Sequence, residues 1–428
     1  MLHANKLHEQ PPPSLCPRTW EQAGDLLVLP PPASASRPYR AWSFDRLLAS
    51  TELSAFQAQP VSPGLALALL ERSWSGSCRE ALRHRADQLR ARLAGETVSY
   101  VLNRNLNASN HCQLRCGFCA FRRDAGQPGA YRLTFEQLEA RAAEARRCGA
   151  TELCLQSALD PLAQIDGSHL RHAATLLNRL QAAAPGLHLH AFSPQELLYI
   201  AEQDNLPLDD VLQTLQDAGL GSVPGTAAEV LSDRVRRRLC PEKLSSRAWL
   251  TVMAQVHRCG LRATATLMAG HLERPADLAA HLLSLVALQR SAWQHRRSGF
   301  SEFVLLPFVG AHAPSALRRQ VGRDQPDVDA MLTLTAQARL LLGPWFVHHQ
   351  PSWVKLTLPV AAEALRWGCD DLGGTLMEEH ITTMAGARGG TSQTEEALRD
   401  AALSQGRPVR QRTTLYGSIG EGSATALR

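Results

Sequence analysis

The chain has 428 residues, of which 44% are hydrophobic and 20% charged; these proportions exclude wholesale disorder and fibrous repeats and leave room for one core of roughly 250 to 350 residues with extensions. The formal charge of +5 comes from 42 arginines and three lysines dispersed among 40 acids, so no basic face for nucleic acid is expected. No apolar run approaches the roughly 18 residues that cross a bilayer and no charged start leads into an apolar block, which predicts a cytoplasmic protein, with no membrane partner, whose cysteines stay reduced.

In chain order, residues 1–38 hold eight of the 25 prolines, including Pro11 to Pro13 and Pro30 to Pro32, and read as a flexible tail. Residues 39–96 carry short helical patterns (SFDRLLAS, CREALRHRADQLRARL) and predict a helical lead-in. From about Tyr100, apolar runs alternate with amphipathic helices. The runs begin at Ser99, Thr151, Leu187, Gly221, Arg262, Glu302, Phe346 and, most weakly, Asp370. The helix from Thr134 has the clearest signals: Thr134 and Gln137 form a capping box, Phe135, Leu138, Ala142 and Ala145 share a face, and Gly149 stops it. Strands separated by helices pair in parallel, and about eight such units in some 280 residues fit an α/β fold of the (βα)8 barrel type, with the open doubly wound sheet as the alternative. The barrel is expected over residues 97–380, with 381–428 as a C-terminal helix and closing segment. The arginines 234, 236, 237 and 238 sit in a helical pattern and predict a solvated face.

Directly after the first run comes NASNHCQLRCGFCAF, which spaces Cys112, Cys116 and Cys119 as Cys-x3-Cys-x2-Cys. A structural zinc site takes four ligands, usually in paired knuckles, and no second knuckle follows; His111 beside Cys112 makes an awkward fourth ligand. An iron-sulfur cluster normally takes four cysteines, so three in this spacing imply a 4Fe-4S cluster with one iron left open. An open iron can be chelated by the amino and carboxylate groups of S-adenosylmethionine, and one electron then breaks the sulfonium bond to give a 5'-deoxyadenosyl radical. Gln113, Arg115 and Gly117 between the cysteines make poor core, which argues against three buried structural thiols.

This spacing, with Phe118 before the last cysteine, resembles the signature of the radical S-adenosylmethionine superfamily. From about Thr97 to Gly417 the stretches NRNLNASNHCQLRCGFCAF, LQSALDP, HLHAFSPQEL, VPGTAAEVL, TATLMAGH, EFVLLPFV, HHQPSWVKL, DDLGGTLMEE and RQRTTLYG are similar to the tyrosine 4-hydroxyphenyl transferases of deazaflavin biosynthesis. The resemblance implies that L-tyrosine breaks at its Cα–Cβ bond and that its 4-hydroxybenzyl group is caught by C5 of 5-amino-6-(D-ribitylamino)uracil. It also implies a reducing flavodoxin or ferredoxin and, as a functional partner, a separate enzyme that closes the deazaflavin ring. Aminofutalosine synthases of menaquinone biosynthesis and the ring-closing subunit itself share the barrel and the cysteine motif; HAFSP, PGTAAE and DDLGGT favour the transferase. A non-catalytic iron-sulfur or zinc protein is the reading from outside enzymes.

By the same resemblance, Gln156, Ser157 and Ala158 occupy the turn where relatives carry a glycine pair that binds the methionyl ammonium; here the glycines are absent. Glu229, three residues after Thr226 on the helix expected after the fourth run, is either a partner for that ammonium or half of a capping box. At the end of the third run Ser193 is assigned to the cofactor and His190 to the substrates. His271, Gln350 and Trp353 are polar groups at run ends suited to the uracil or the phenol, and Asp160 opens a loop after the second run. The acidic stretch Asp370, Asp371, Glu378 and Glu379 brackets Gly373 and Gly374, and offers Asp371 and Glu378 to an ammonium or to ribityl hydroxyls. The other seven cysteines (16, 78, 148, 154, 240, 259 and 369) share no spacing and read as structural.

Overall fold

A computed structural model describes residues 37–419; the proline-rich stretch up to residue 36, and Cys16 with it, lies outside the described residues. The helical lead-in consists of Phe44–Phe56, Pro63–Glu71 and Gly76–Ala94. The side chains of Ser43 and Ser62 cap the first two by accepting from Arg46 N and Leu65 N. Leu47, Leu69 and Leu82 are buried among helices that belong to the barrel, Val328–Leu342 and Pro275–Gln294.

The first predicted run divides into β1 (Val98–Val101) and β2 (Asn103–Leu106). There follow β3 (Glu152–Leu155), β4 (His188–Ala191), β5 (Leu220–Val223), β6 (Arg262–Ala269), β7 (Phe300–Pro307) and β8 (His348–Pro351). Strands β2 to β8 form one parallel ladder in sequence order, each returned by helices packed outside. The expected α/β barrel architecture is therefore present, with an irregular closure. The eighth predicted run forms β9 (Asp371–Gly374), which ladders with β1, and β1 takes β10 (Val409–Gln411) on its other side. Toward the long sheet the contacts are isolated bonds: Asp370 N donates to His349 O at 3.2 Å and Asn105 N to Leu376 O at 2.9 Å.

Two glycines explain this closure. A Cβ on Gly373, whose φ is +75°, would lie 2.1 Å from Gln350 Nε2, and one on Gly374 would lie 2.0 Å from Asn103 Oδ1. The chain there runs across side chains of β8 and β2 where only backbone fits.

The helix Phe135–Arg147 carries the predicted capping box, with Leu138, Ala142 and Ala145 buried. In the arginine cluster Arg237 and Arg238 are exposed as expected, and the other two depart from expectation. On the helix Asp233–Leu239, Arg236 is 3% exposed and donates to the carbonyls of Ala227, Ala228 and Leu244, while Arg234 pairs with Asp277. A guanidinium has five donors and no acceptor, so it satisfies the bare carbonyls of an irregular loop better than helix or sheet would. No helix among the described residues is long and apolar enough to cross a membrane.

Candidate active site

Inward side chains alternate with period two along the strands, and they enclose a cavity of about 400 Å³. Asn103, Asn105 and Asn107 come from β2 and its extension, Glu152, Cys154 and Gln156 from β3 and the residue after it, and Glu302, Val304 and Leu306 from β7. The mouth lies at the C-terminal ends of the strands, where loops carry the predicted site.

Cys112, Cys116, Phe118 and Cys119 all line this mouth. Their loop leaves the barrel rim and is pinned from three sides: Gln113 N donates to Leu159 O (3.1 Å), Cys112 N to Arg123 O (3.3 Å) and Gly117 N to Leu239 O (2.9 Å). A Cβ at Gly117 would meet that same Leu239 oxygen at 3.2 Å. All nine described cysteines are free. Burial pushes the Cys112 thiol up and the Cys116 thiol up to about 12, with Lys243 opposing, so these thiolates require added positive charge. Among the described residues no three His, Cys, Asp or Glu side chains converge on a single ion. Three free thiols on one cavity wall, short of counter-charge, are a donor set that fits an iron-sulfur cluster, whose irons supply that charge.

Around the thiols, Gln156, Ser157, Ala158, Ser193 and Glu229 also line the cavity. The Ser157 amide is already engaged: it donates to Glu196 Oε1 at 3.0 Å, and the other Glu196 oxygen accepts from Ser193 N (2.8 Å) and Ser193 Oγ (2.7 Å). Ser193 is thus the N-cap of the helix Pro194–Gln203 in a capping box with Glu196. Glu229 differs from its expected place. It stands in a loop with φ +46°, not on a helix, and makes no capping box with Thr226. Its carboxylate pairs with Lys243 at 2.6 Å, and burial, which raises its pKa, is outweighed by Lys243, which holds it below the usual range. Lys243 Nζ also lies 5.4 Å from the centre of the Phe118 ring.

His190, Gln350 and Trp353 line the cavity as well. His190 shares Ser222 Oγ with His188, at 2.6 and 2.7 Å, and burial pushes its pKa down to about 4. The Trp353 indole donates to Gly374 O at 3.0 Å.

Four sequence candidates lie outside this lining. Asp160 accepts from both nitrogens of the Arg132 fork (2.7 and 2.6 Å), from Ser109 Oγ (2.7 Å) and from Leu162 N (3.0 Å), so it braces the loops around the cysteines. His271 is turned into its own backbone, with Nε2 3.0 Å from Met268 O and Nδ1 accepting from Leu272 N at 2.6 Å. Asp371 is saturated by Arg412, Ser99 and Gly373 N. Glu378 pairs with Arg104 at 2.7 Å and faces a second cavity, of about 290 Å³, while its neighbour Glu379 lines the first.

Residues missed from sequence include Lys243, Lys355, Glu196, Glu302 and Arg412, all on the cavity wall. A signal existed for the lysines: a chain with only three places two of them here. Cys154, read as structural, also borders the cavity.

Residues 106–285 match the radical SAM superfamily. Two solved structures share the fold: methylornithine synthase (13% identity, TM-score 0.65, covering 88% of this chain and 100% of that one) and the FeFe-hydrogenase maturase HydG from Carboxydothermus hydrogenoformans (13% identity, TM-score 0.64, 92% and 84%). The chain is 52% identical over 371 residues to the 5-amino-6-(D-ribitylamino)uracil--L-tyrosine 4-hydroxyphenyl transferase of Synechocystis sp., covering 86% of this chain and 94% of the relative. It is 54% identical over 345 residues to the protein of the same name from Gloeobacter violaceus, covering 80% and 87%. The chain therefore belongs to the tyrosine 4-hydroxyphenyl transferase family of radical SAM enzymes.

Proposed function

We propose that this chain joins the 4-hydroxybenzyl group of L-tyrosine to C5 of 5-amino-6-(D-ribitylamino)uracil, a step in making an 8-hydroxy-5-deazaflavin. S-adenosylmethionine is converted to methionine and 5'-deoxyadenosine, and the rest of the tyrosine leaves as 2-iminoacetate. The observation that carries this reading is the shared cavity: the three thiols of the Cys-x3-Cys-x2-Cys loop open onto the same space as the barrel interior, in a chain half identical to enzymes of that name. When bound, a 4Fe-4S cluster with one open iron supplies the electron that cleaves S-adenosylmethionine.

The chain's own residues then have distinct tasks. Cys112, Cys116 and Cys119 would hold the cluster, with Phe118 beside them on the cavity wall. Gln156, Ser157, Ala158, Ser193 and Glu229 form the wall assigned to the cofactor. Glu196 occupies the Ser157 amide, Ser109 O takes the Ala158 amide and the Gln156 carbonyl accepts from Asn107 Nδ2, so the backbone contacts left to the cofactor on that turn are the Ser157 and Ala158 carbonyls, which suit an ammonium. His190, held neutral by burial, offers a hydrogen bond rather than a charge, and Gln350 and Trp353 complete the substrate wall. Met268, Leu306 and Val354 keep the middle of the cavity apolar, which excludes water from a radical fragment. The segment from 381 onward forms part of the working barrel, since Arg412 reaches the cavity from it. A flavodoxin or ferredoxin is the reductant, and the ring-closing enzyme consumes the product.

The test is an anaerobic incubation of reconstituted protein with dithionite, S-adenosylmethionine, tyrosine and the ribitylaminouracil, read by mass spectrometry. A 4-hydroxybenzyl adduct formed together with 5'-deoxyadenosine supports the reading. Turnover of a futalosine precursor without the adduct overturns it.

A further inference from the structure

Barrel interiors are ordinarily packed with branched aliphatic side chains. Here the deepest inward positions are polar: Asn103, Glu152, Thr264 and Glu302 stand at the N-terminal ends of their strands, and Arg412 enters the same space from below. Burying such groups costs free energy unless their polar atoms find partners. Several do. Asn103 Nδ2 donates to Glu152 Oε1 at 2.8 Å, and Arg412 is bound to Asp371. Three atoms on the cavity-lining residues do not: Glu302 Oε2, Asn105 Oδ1 and Asn107 Oδ1 are buried and have no hydrogen-bond partner.

All three orphans are oxygens able to accept a hydrogen bond, and they are spread along the barrel axis. Glu302 and Val304 differ by one inward layer, as do Asn105 and Asn107, so the row spans about 13 Å at the rise of a strand. An occupant that satisfies them must be long and carry several N–H or O–H donors. At the floor Arg412 is already paired with Asp371, Glu152 takes the Asn103 amide, and burial drives Glu302 toward its neutral form, so hydrogen-bonding groups suit the floor better than an ion. Ionic partners stand at the mouth instead, in Lys355 with its counter-charges Glu379 and Glu229 and in the Lys243–Glu229 pair. The ammonium and carboxylate ends of an amino acid match the mouth, and an uncharged polyol matches the floor.

We propose that the floor of the barrel is a polyol subsite, in which the ribityl chain of the acceptor points down the axis and places its hydroxyls on Glu302, while N–H groups nearer the ring meet Asn105 and Asn107. This rests on the reaction proposed above and adds the orientation of its acceptor. The ring is thereby held in the upper half of the cavity, on the side of the cysteines.

The test compares two acceptors, the ribitylaminouracil and 5,6-diaminouracil, which lacks the ribityl chain, in reconstituted wild-type enzyme and in the Glu302→Gln and Glu302→Ala variants. Glu302→Ala is expected to raise KM for the ribityl acceptor about tenfold, the worth of one or two hydrogen bonds, and Glu302→Gln by less. The rise is confined to the ribityl acceptor, so the ratio of its KM to that of 5,6-diaminouracil increases in both variants. A parallel rise for both acceptors, or no change for either, overturns the subsite while leaving the reaction standing. Absence of any adduct from the wild-type enzyme overturns the reaction and the subsite together. Equilibrium binding of the two acceptors to the reconstituted Glu302→Gln protein gives the same comparison without turnover.

Discussion

Lys243 Nζ lies 2.6 Å from Glu229 Oε1, so one ammonium joins the loop after β5 to the cysteine loop through its contact with the Phe118 ring. The two side chains are only 15% and 10% exposed. Removing either partner strands a buried charge, which typically costs about 3–5 kcal/mol, whereas removing both is far milder. Lys243→Met should therefore destabilise the apoprotein by about 3 kcal/mol, and the double variant Lys243→Met/Glu229→Gln should recover most of it. Urea unfolding of wild type, Lys243→Met, Glu229→Gln and the double variant measures the coupling, and additive losses would contradict it.

The same pair has a pH signature. The Glu229 pKa is depressed in the fold below its ordinary 4.5, so the stability it contributes is present above pH 4.5 and disappears as pH falls through the lower folded value. Wild type should lose stability on acidification more steeply than Glu229→Gln. Identical acid limbs in the two proteins would show that the pair carries no such linkage.

Glu302 runs the other way. Burial, only partly opposed by Arg412, pushes its pKa up to about 7 from 4.5. The folded state then holds a proton that the unfolded state has released, so stability falls as pH rises from 4.5 through 7. Glu302→Gln should flatten this slope in a series of melting curves between pH 5 and pH 8, and an unchanged slope would place the titration elsewhere.

Asp160 is expected to matter for cluster retention and not for substrate affinity. Its side chain is 2% exposed and receives both nitrogens of the Arg132 fork. Asp160→Asn weakens this charge-assisted pairing, for a loss of about 2 kcal/mol. The iron content after reconstitution should drop, and KM for tyrosine in the loaded fraction should not move. A changed KM with full iron content would return Asp160 to the substrate wall.

Gly373 and Gly374 test the closure of the barrel. Gly373→Ala puts a Cβ at φ +75° against the Gln350 amide, a strained position worth about 1–3 kcal/mol. Thermal unfolding should show that loss, with a smaller one if Gln350→Ala is introduced alongside. Equal losses in the single and double variants would mean that backbone strain alone explains it.

Much of this was legible in the sequence, and for physical reasons. The cysteine loop was, because three thiolates in eight residues have few uses and sit directly after a strand. The strand and helix units were, because parallel strands are short apolar runs and capping boxes such as Thr134 with Gln137 are local. What stayed hidden depends on where the backbone turns. Asp371 and Glu378 stand in an acidic stretch suited to an ammonium or hydroxyls, yet Arg412, some 40 residues later in the chain, saturates the first. His271 sits at a strand end as expected, but its ring folds back onto Met268 and Leu272. Glu302 opens the run EFVLLPF and looks like a strand-start charge facing water; only the barrel's curvature turns it inward. Arg236 resembled a solvated charge because the loop carbonyls it binds have no sequence signature.

The proposed reaction splits tyrosine between Cα and Cβ in this cavity and passes its aromatic half to the uracil. Reconstituted enzyme supplied with tyrosine carrying one isotope at Cβ and another at Cα tests this directly. The Cβ label is expected in the uracil adduct and the Cα label in 2-iminoacetate or the glyoxylate it hydrolyses to, in equal amounts with 5'-deoxyadenosine. Both labels in one product, or 5'-deoxyadenosine formed with neither label transferred, would contradict it.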